Sequence, residues 1–495
     1  MYLLGYDIGS SSIKAAVVEV DTGNTIGVVQ YPDAEMQMLA VHPGWAEQDP
    51  EMWWDGVCKA TQKLLAKTNI QPSDIHGIGI SYQMHGLVLT DKNDQSLRPS
   101  IIWCDSRAVE IGNAAFGAIG PEKCLQHLLN SPGNFTASKL KWVKDNEPDT
   151  FSNIHKMMLP GDYIALRLTG ETITTPSGLS EGMLWDYLEN DVAAIITDYY
   201  GFDHQMIPEI RPSCSEQGKV TAQAAAQTGL RAGIPVTYRA GDQPNNALSL
   251  NVLKPGEVAA TGGTSGVIYG VVDHPAYDLA SRVNGFLHVN HTNEDPRIGI
   301  LLCINGAGIQ YNWIRQHLGS TGISYQEMEQ AASAIPVGAD GLQVIPFGNG
   351  AERMLGNRNP GAHFGNLQFN RHGSAHFYRA ALEGIAFSFV YGAQILNGMG
   401  VGIKVMRAGN DNLFQSAVFS TTIATLLDCS IDIVETTGAV GAAKAAGVAP
   451  GFYKSLEEAL HNTNVLKTFI PATEKSAFEN AYSNWEKYLE VVAAV

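Results

Sequence analysis

Three short stretches of the chain combine residue types suited to holding phosphate groups and moving a proton. The first is Asp7-Ile8-Gly9-Ser10-Ser11-Ser12. It sets a carboxylate at the end of an apolar strand, followed by a glycine and three hydroxyls. Glycine lets the main chain approach an anion closely, and successive amides and hydroxyls can donate to phosphate oxygens. Lys14 is near enough in sequence to help, although a strand side chain there could equally face solvent. Asp7 would repel a phosphate, so its natural partner is Mg2+ or the waters of that ion. An ordinary polar turn is the plain alternative. The second stretch, Thr261-Gly262-Gly263-Thr264-Ser265-Gly266, repeats the design. Between the two lies Ala240-Gly241-Asp242-Gln243, led in by the apolar Ile234-Pro235-Val236, with a helix expected to begin just beyond Asp242. That carboxylate reads either as a helix cap or as a general base, if phosphate hairpins and a substrate pocket lie near it.

The elements that must position these residues alternate along the chain. From Leu3 to Gly27 the pattern predicts a strand, a tight turn, a second strand and a hairpin at Asp21-Thr22-Gly23-Asn24. Glu257 to Pro275 repeats strand, Gly/Thr/Ser turn and strand, about 255 residues later. Two related halves, each opening with a phosphate-sized hairpin, would explain the repeat; chance similarity of glycine-rich turns is the other reading. Between them, helical stretches such as PEMWWDGVCKATQKLLAK (Pro50–Lys67) alternate with short runs such as IHGIGISYQ (Ile75–Gln83). That alternation favours α/β layers with parallel strands. Val252-Leu253-Lys254-Pro255-Gly256-Glu257 reads as a linker, which sets domains at residues 1–250 and 251–450 and a helical extension at 451–495 packed on the second domain. In that extension Phe478, Tyr482, Trp485 and Leu489 recur at helical spacing, a stripe for core packing rather than for a cofactor.

Composition narrows the class further. A chain of 495 residues exceeds what one hydrophobic core supports, so more than one domain is expected. The 51 glycines are about one residue in ten, above the roughly 7% average, and suit an α/β protein with many tight turns. The formal charge of -17 repels nucleic acid and anionic membranes. It repels free ATP as well, so any bound nucleotide needs main-chain amides, helix N-termini and Mg2+ around its phosphates. No apolar run approaches the ~18 residues of a membrane span, and the start, Met1 to Asp7, lacks the basic region of a signal peptide. Six scattered cysteines (58, 104, 124, 214, 303 and 429) show no metal-ligand spacing and suit reduced thiols in a cytoplasmic chain.

Read in order, these and further motifs resemble the FGGY carbohydrate kinases, and within them the bacterial xylulokinases, from about Tyr2 to about Gly447. DIGSSSIK resembles the family's first phosphate hairpin. PGWAEQDPEMWW (Pro43–Trp54), SYQMHG (Ser81–Gly86) and IIWCDSR (Ile101–Arg107) resemble xylulokinase segments, while NFTASKLKWVKDN (Asn134–Asn146) and AHFGNLQFNRHGSAHFYRAALEG (Ala362–Gly384) resemble the two family signatures. The resemblance implies two actin-like (ribonuclease H-like) domains, each a mixed sheet flanked by helices, with ATP and sugar in the cleft between them. The domain of residues 1–250 would bind sugar and carry the first hairpin and the catalytic aspartate; that of 251–450 would bind nucleotide.

Residue by residue, Asp242 matches the general base and Asp7 the acidic residue associated with Mg2+. Met84 and His85 match the pair that contacts the sugar, and Gln243 takes the place of a second sugar contact. Trp103 and Asp105 either shape the sugar pocket or pack the sheet edge. Ser10, Ser11, Ser12 and Lys14 match the first ATP-binding hairpin, and Gly263, Thr264 and Ser265 the second. Gly306 and Gln310, in INGAGIQYNW, resemble a nucleotide-contacting turn; Gly409, with Asn412 close by, resembles the adenosine motif. Outside such a context His85 would read as a buried core histidine, and Glu383 reads as structural rather than metal-binding.

Three departures from the family pattern stand out. Arg407-Ala408-Gly409 replaces a run of glycines, and its side chains are expected to narrow the adenosine site. Gln243 stands where xylulokinases usually carry Asn, and Asn134 replaces a small or aromatic residue. The resemblance implies ATP-dependent phosphorylation of D-xylulose to D-xylulose 5-phosphate in the cytoplasm, with Mg2+ accompanying ATP. Domain closure would expel water so that sugar receives the phosphate. Its partners would be sugar and ATP, without nucleic acid or membrane, and a homodimer is one compatible assembly. Another polyol or ketose (glycerol, ribulose or gluconate) is the nearest alternative, and a non-kinase actin-like ATPase the more distant one.

Overall fold

Strand β1 (Tyr2–Ile8) is buried along nearly its whole length, as its apolar sequence requires. It lies at the centre of a five-stranded sheet ordered β5-β4-β1-β2-β3, whose other strands are β2 (Ile13–Glu19), β3 (Thr25–Tyr31), β4 (Ile75–Tyr82) and β5 (Val236–Gly241). The β1–β2 and β2–β3 pairs are antiparallel, while β4 runs parallel to β1 and β5 parallel to β4. This is the mixed sheet that alternating helical and strand patterns predict. On one face helix α1 (Pro50–Thr68), capped by Asp49 and opened by Pro50, buries Trp53, Val57 and Leu64.

The opposite face is built on closeness. Helix Gly438–Ala445 packs Ala439, Ala442 and Ala443 against β1 and β4. A methyl group placed on Gly5 would stand 1.9 Å from the Ala439 carbonyl oxygen, and one on Gly79 2.0 Å from that of Ala442. Only glycine on the strands and alanine on the helix allow this approach. The same packing brings Gly438 against the Asp7 carboxylate.

The computed structural model describes residues 1–494, and the chain divides into two units. The first comprises Met1–Leu253, Gly285–Ile298 and Thr436–Thr463; the second comprises Lys254–Asn284, Gly299–Glu435 and Asn464–Val495. In the second unit β6 (Glu257–Gly262) forms an antiparallel hairpin with β7 (Gly266–Val272). Strand β8 (Ile298–Ile304) flanks β7; on the other side follow β9 (Val405–Gly409), β10 (Ser430–Val434) and β11 (Val465–Phe469). As in the first unit, the opening strand pairs antiparallel with its hairpin partner and parallel with a strand from much later in the chain, which in turn pairs parallel with the next. The repeated hairpins of the sequence are thus the repeated starts of two sheets with the same strand logic. The aromatic stripe on Ser476–Ala493 is buried, and the Trp485 indole donates to the Val344 carbonyl oxygen at 2.8 Å. Among the described residues no helix is long and apolar enough to cross a membrane.

Candidate active site

Because β1, β4 and β5 run parallel, their C-terminal ends share one sheet edge, and that edge carries Asp7, the Ser81–His85 segment and Asp242. Asp7 and Asp242 are both partly exposed. The Ser81 hydroxyl donates to Asp7 Oδ1 at 3.1 Å, and Lys14 faces Asp7 across the β1–β2 pair. Burial raises the Asp7 carboxyl above its usual range, while the Lys14 charge and the Ser81 hydrogen bond partly offset it. Asp242 is the first residue of helix α2 (Asp242–Ser249), whose N-cap is Gly241. The cap reading of its side chain is therefore set aside. Burial first and the Asp7 charge second push Asp242 up to about 7, against hydrogen bonds from Gln243 that lower it. No cluster of three or more potential metal ligands occurs among the described residues. The donor chemistry of Asp7, one accessible carboxylate beside another, fits a cation that draws its remaining ligands from phosphates and water.

Gly241 explains how the rest converges. A methyl group there would meet the Glu181 carboxyl at 2.5 Å and the Met84 side chain at 2.6 Å, so its absence lets both close on the base of Asp242. His85 holds a left-handed backbone, φ 61°, that few non-glycine residues adopt. It is fixed from two sides: its Nδ1 lies 2.9 Å from the Glu181 carbonyl oxygen, and its own carbonyl oxygen accepts from Lys139 Nζ at 2.8 Å. Its ring also packs edge-on against Phe135. Lys139 is fully buried, gives a second hydrogen bond to the Ile102 carbonyl oxygen, and is pulled down to about 7 by desolvation. Lys139 falls within the NFTASKLKWVKDN segment, which gave it no role of its own, and Glu181 is marked by no motif; its trace in the sequence is an acidic residue closing a short helix (Pro176–Glu181) in an otherwise uncharged run.

The remaining residues of the first unit divide between hairpin and scaffold. The Gly9 amide donates to the Ser12 carbonyl oxygen (3.1 Å), Met36 N–H to that of Ser11 (2.8 Å) and the Gln48 side chain to that of Ser10 (2.7 Å), which fixes the turn. Trp103, 52% exposed, donates its indole N–H to Ser10 Oγ at 3.3 Å and so joins the hairpin. Asp105 is fully buried: it accepts from the Arg107 guanidinium and from the Ala46 amide (2.6 Å), and Arg107 stacks 3.7 Å from the Trp45 ring. Its carboxylate is taken up by the scaffold. Asn134 donates to the Asp105 carbonyl oxygen.

In the second unit the Gly263 and Thr264 carbonyl oxygens accept from the amides of Gly308 and Ile309 (2.8 and 3.2 Å), so helix α3 (Gly308–Leu318) begins on the hairpin that ends in Ser265. Gly306 has φ 91°, and a methyl group there would stand 1.7 Å from the Pro346 carbonyl oxygen. Gln310 is buried on α3 with both side-chain polar atoms lacking a hydrogen-bond partner among the described residues. Gly262 packs on Leu413, next to Asn412, whose amide donates to the Gly409 carbonyl oxygen at 3.3 Å. The hairpin, Gly306, Gln310, Gly409 and Asn412 thus lie around the C-terminal ends of β6 and β9. The expectation for Arg407 is corrected: its guanidinium turns to Glu257 (3.3 Å) and Asp432 (3.8 Å), carboxylates at the start of β6 and within β10. Glu383 accepts from the Gly338 amide and from Arg379, a structural role.

Residues 2–249 match the N-terminal domain of the FGGY family of carbohydrate kinases. The chain is 30% identical to the xylulose kinase of Bacillus subtilis, over 98% of this chain and 94% of that one. It is 29% identical to the L-xylulose/3-keto-L-gulonate kinase of Escherichia coli, over 100% and 97%. Among solved structures, the xylulose kinase of Rhodospirillum rubrum superimposes with a TM-score of 0.89 at 25% identity, covering 100% of this chain and 99% of that one. The two mixed sheets with their helices are accordingly the actin-like α/β arrangement of these kinases. The chain belongs to the FGGY family of carbohydrate kinases and is an enzyme that phosphorylates a sugar at the expense of ATP.

Proposed function

We propose that the enzyme transfers the γ-phosphoryl group of ATP to the terminal hydroxyl of D-xylulose, giving D-xylulose 5-phosphate, with Asp242 as general base. The observation that carries this reading is a carboxylate at the end of β5, partly exposed and pushed up to about 7, beside Asp7 and next to Met84 and His85. A base poised near neutral pH accepts a proton with the best balance of availability and strength.

Asp242 accepts the proton of the sugar hydroxyl as the oxygen attacks the γ-phosphorus and the bond to the β-phosphate oxygen breaks. Met84, His85 and Gln243 orient the sugar, and Trp103 borders it. Asp105 acts from beneath by holding Arg107 and the main chain at Ala46. Main-chain amides and hydroxyls of Ser10, Ser11 and Ser12, with Lys14, stabilise charge on the transferred group, which passes through a loose transition state. Mg2+ held with ATP through Asp7 would supply further neutralisation of the phosphates. In the second unit Gly263, Thr264 and Ser265 cradle nucleotide phosphates at the start of α3, where helix and amides favour an anion. Gly306, Gln310, Gly409 and Asn412 complete the nucleotide site.

A related ketose or polyol is the second reading. It is favoured by Gln243 and by the similarity to a kinase named for L-xylulose and 3-keto-L-gulonate. A panel of D-xylulose, L-xylulose, D-ribulose, glycerol and gluconate, assayed by sugar-dependent ADP release, decides between them. D-Xylulose should give the highest kcat/KM. A rival ahead by tenfold, about 1.4 kcal/mol of transition-state binding, overturns the substrate while leaving the reaction intact.

A further inference from the structure

Glu181 is an acidic side chain beside Gly241 and Met84 to which the proposed reaction gives no part. It is 1% exposed, and among the described residues neither of its carboxyl oxygens has a hydrogen-bond partner. The Tyr82 hydroxyl faces its carboxyl without the geometry of a full hydrogen bond, and both carboxyl oxygens lie sealed from solvent. Leaving a buried carboxyl so poorly satisfied costs stability, and an apolar residue of similar size would fit the same space at less cost. Its contacts, however, are with the residues that matter. The carboxyl packs against Gly241, immediately before Asp242, at a place shared with the Met84 side chain. Its main-chain carbonyl holds the His85 ring at 2.9 Å.

Resting on the proposed sugar site, we infer that Glu181 is a positioning residue: it wedges the Met84-His85 segment against Gly241-Asp242 and so sets the spacing between the sugar contacts and the base. Both segments come from strand ends, β4 and β5, that are paired only up to Tyr82 and Gly241. Beyond that pair no ladder fixes their spacing, and Glu181 spans it with its main chain on one side and its carboxyl on the other. Burial first and the neighbouring Asp242 charge second raise the Glu181 carboxyl well above its usual range, which favours its neutral form beside the base.

The test is steady-state kinetics of Glu181→Ala and Glu181→Gln, using whichever sugar of the panel gives the highest kcat/KM, with Asp242→Asn run beside them. Misplacement of a substrate contact by an ångström can cost up to about 10²-fold. Glu181→Ala should therefore raise KM for sugar roughly tenfold while KM for ATP stays within about twofold. Glu181→Gln, of the same shape, should return most of that loss. An unchanged sugar KM in Glu181→Ala, or equal rises in both KM values, overturns the inference. Should Glu181→Ala fail to fold, Gly241→Ala presses on the same contact and must give the same selective rise; an unchanged sugar KM there overturns it equally. A different preferred sugar, or an Asp242→Asn enzyme that keeps its activity, counts against the proposed reaction and leaves the Glu181 result to be read separately.

Discussion

The charge of Asp7 is, after burial, the largest reason why Asp242 holds its proton to about pH 7. The two carboxylates close parallel-aligned strand ends of one sheet, β1 and β5, with β4 between them. A site meant only for stability would avoid such a pair; a site meant to receive a cation beside ATP and a proton from a sugar has use for both.

Asp242→Asn is the first consequence. It keeps the shape of the side chain and removes the proton acceptor. In the proposed mechanism kcat falls by roughly 10²–10⁴, while KM for ATP changes little because the loss is confined to the transition state. Retention of more than about a tenth of wild-type kcat would remove Asp242 from the base role.

The same substitution should stabilise the ligand-free fold, and the sign follows from linkage. The folded-state carboxyl is raised from 3.8 to about 7, so its contribution to stability is fully present below pH 3.8 and is lost as pH rises through about 7. At 1.36 kcal/mol per unit the loss is at most about 4 kcal/mol, less where solvent reaches the group. Asp242→Asn is free of this loss. Its melting temperature relative to wild type should rise between pH 4 and pH 8 and level off above; a difference independent of pH would contradict the raised value.

Asp7→Ala tests the other carboxylate. Turnover dependent on Mg2+ should collapse while sugar binding, measured by calorimetry in the absence of nucleotide, survives. Lost sugar affinity with unchanged Mg-ATP kinetics would move Asp7 to the sugar end of the site.

How much of this was legible in the sequence depends on the range of the interaction. The β1–β2 and β6–β7 hairpins show in the sequence because alternation, glycine and hydroxyl residues act within a dozen positions. Asp242 shows because it follows Gly241 at a strand end, though whether it capped the helix required the backbone, which gives the cap to Gly241. Glu181 does not show, since its place depends on a glycine sixty positions away that leaves room for it. The direction of Arg407 is equally non-local: Glu257 and Asp432, on the strands to either side of β9, draw it away from Gly409. Helix Gly438–Ala445 is the extreme case. Its small residues carry no amphipathic pattern, and their value appears only against Gly5 and Gly79.

That contact yields the last prediction. A methyl group on Gly79 would stand 2.0 Å from the Ala442 carbonyl oxygen and 2.7 Å from its carbonyl carbon, both main-chain atoms that no rotamer change can move. Gly79→Ala must therefore lift helix Gly438–Ala445 from β4 or bend the strand. Gains from the lower entropy of an unfolded chain with alanine, about 0.4–1 kcal/mol, are too small to compensate for overpacking of about 1–3 kcal/mol or more. The variant should unfold at lower denaturant with an unchanged m-value, since the fold and its buried surface persist. A second effect separates this site from a remote one. Gly438, at the start of the same helix, abuts the Asp7 carboxylate, so lifting the helix also disturbs the residue proposed to hold Mg2+. The KM for Mg-ATP should rise together with the loss of stability, whereas an overpacked site on the α1 face, such as Gly56→Ala against Ile13, should lower stability with Mg-ATP kinetics unchanged. Equal kinetic effects from both variants would show that the helix–sheet contact carries no special coupling to Asp7.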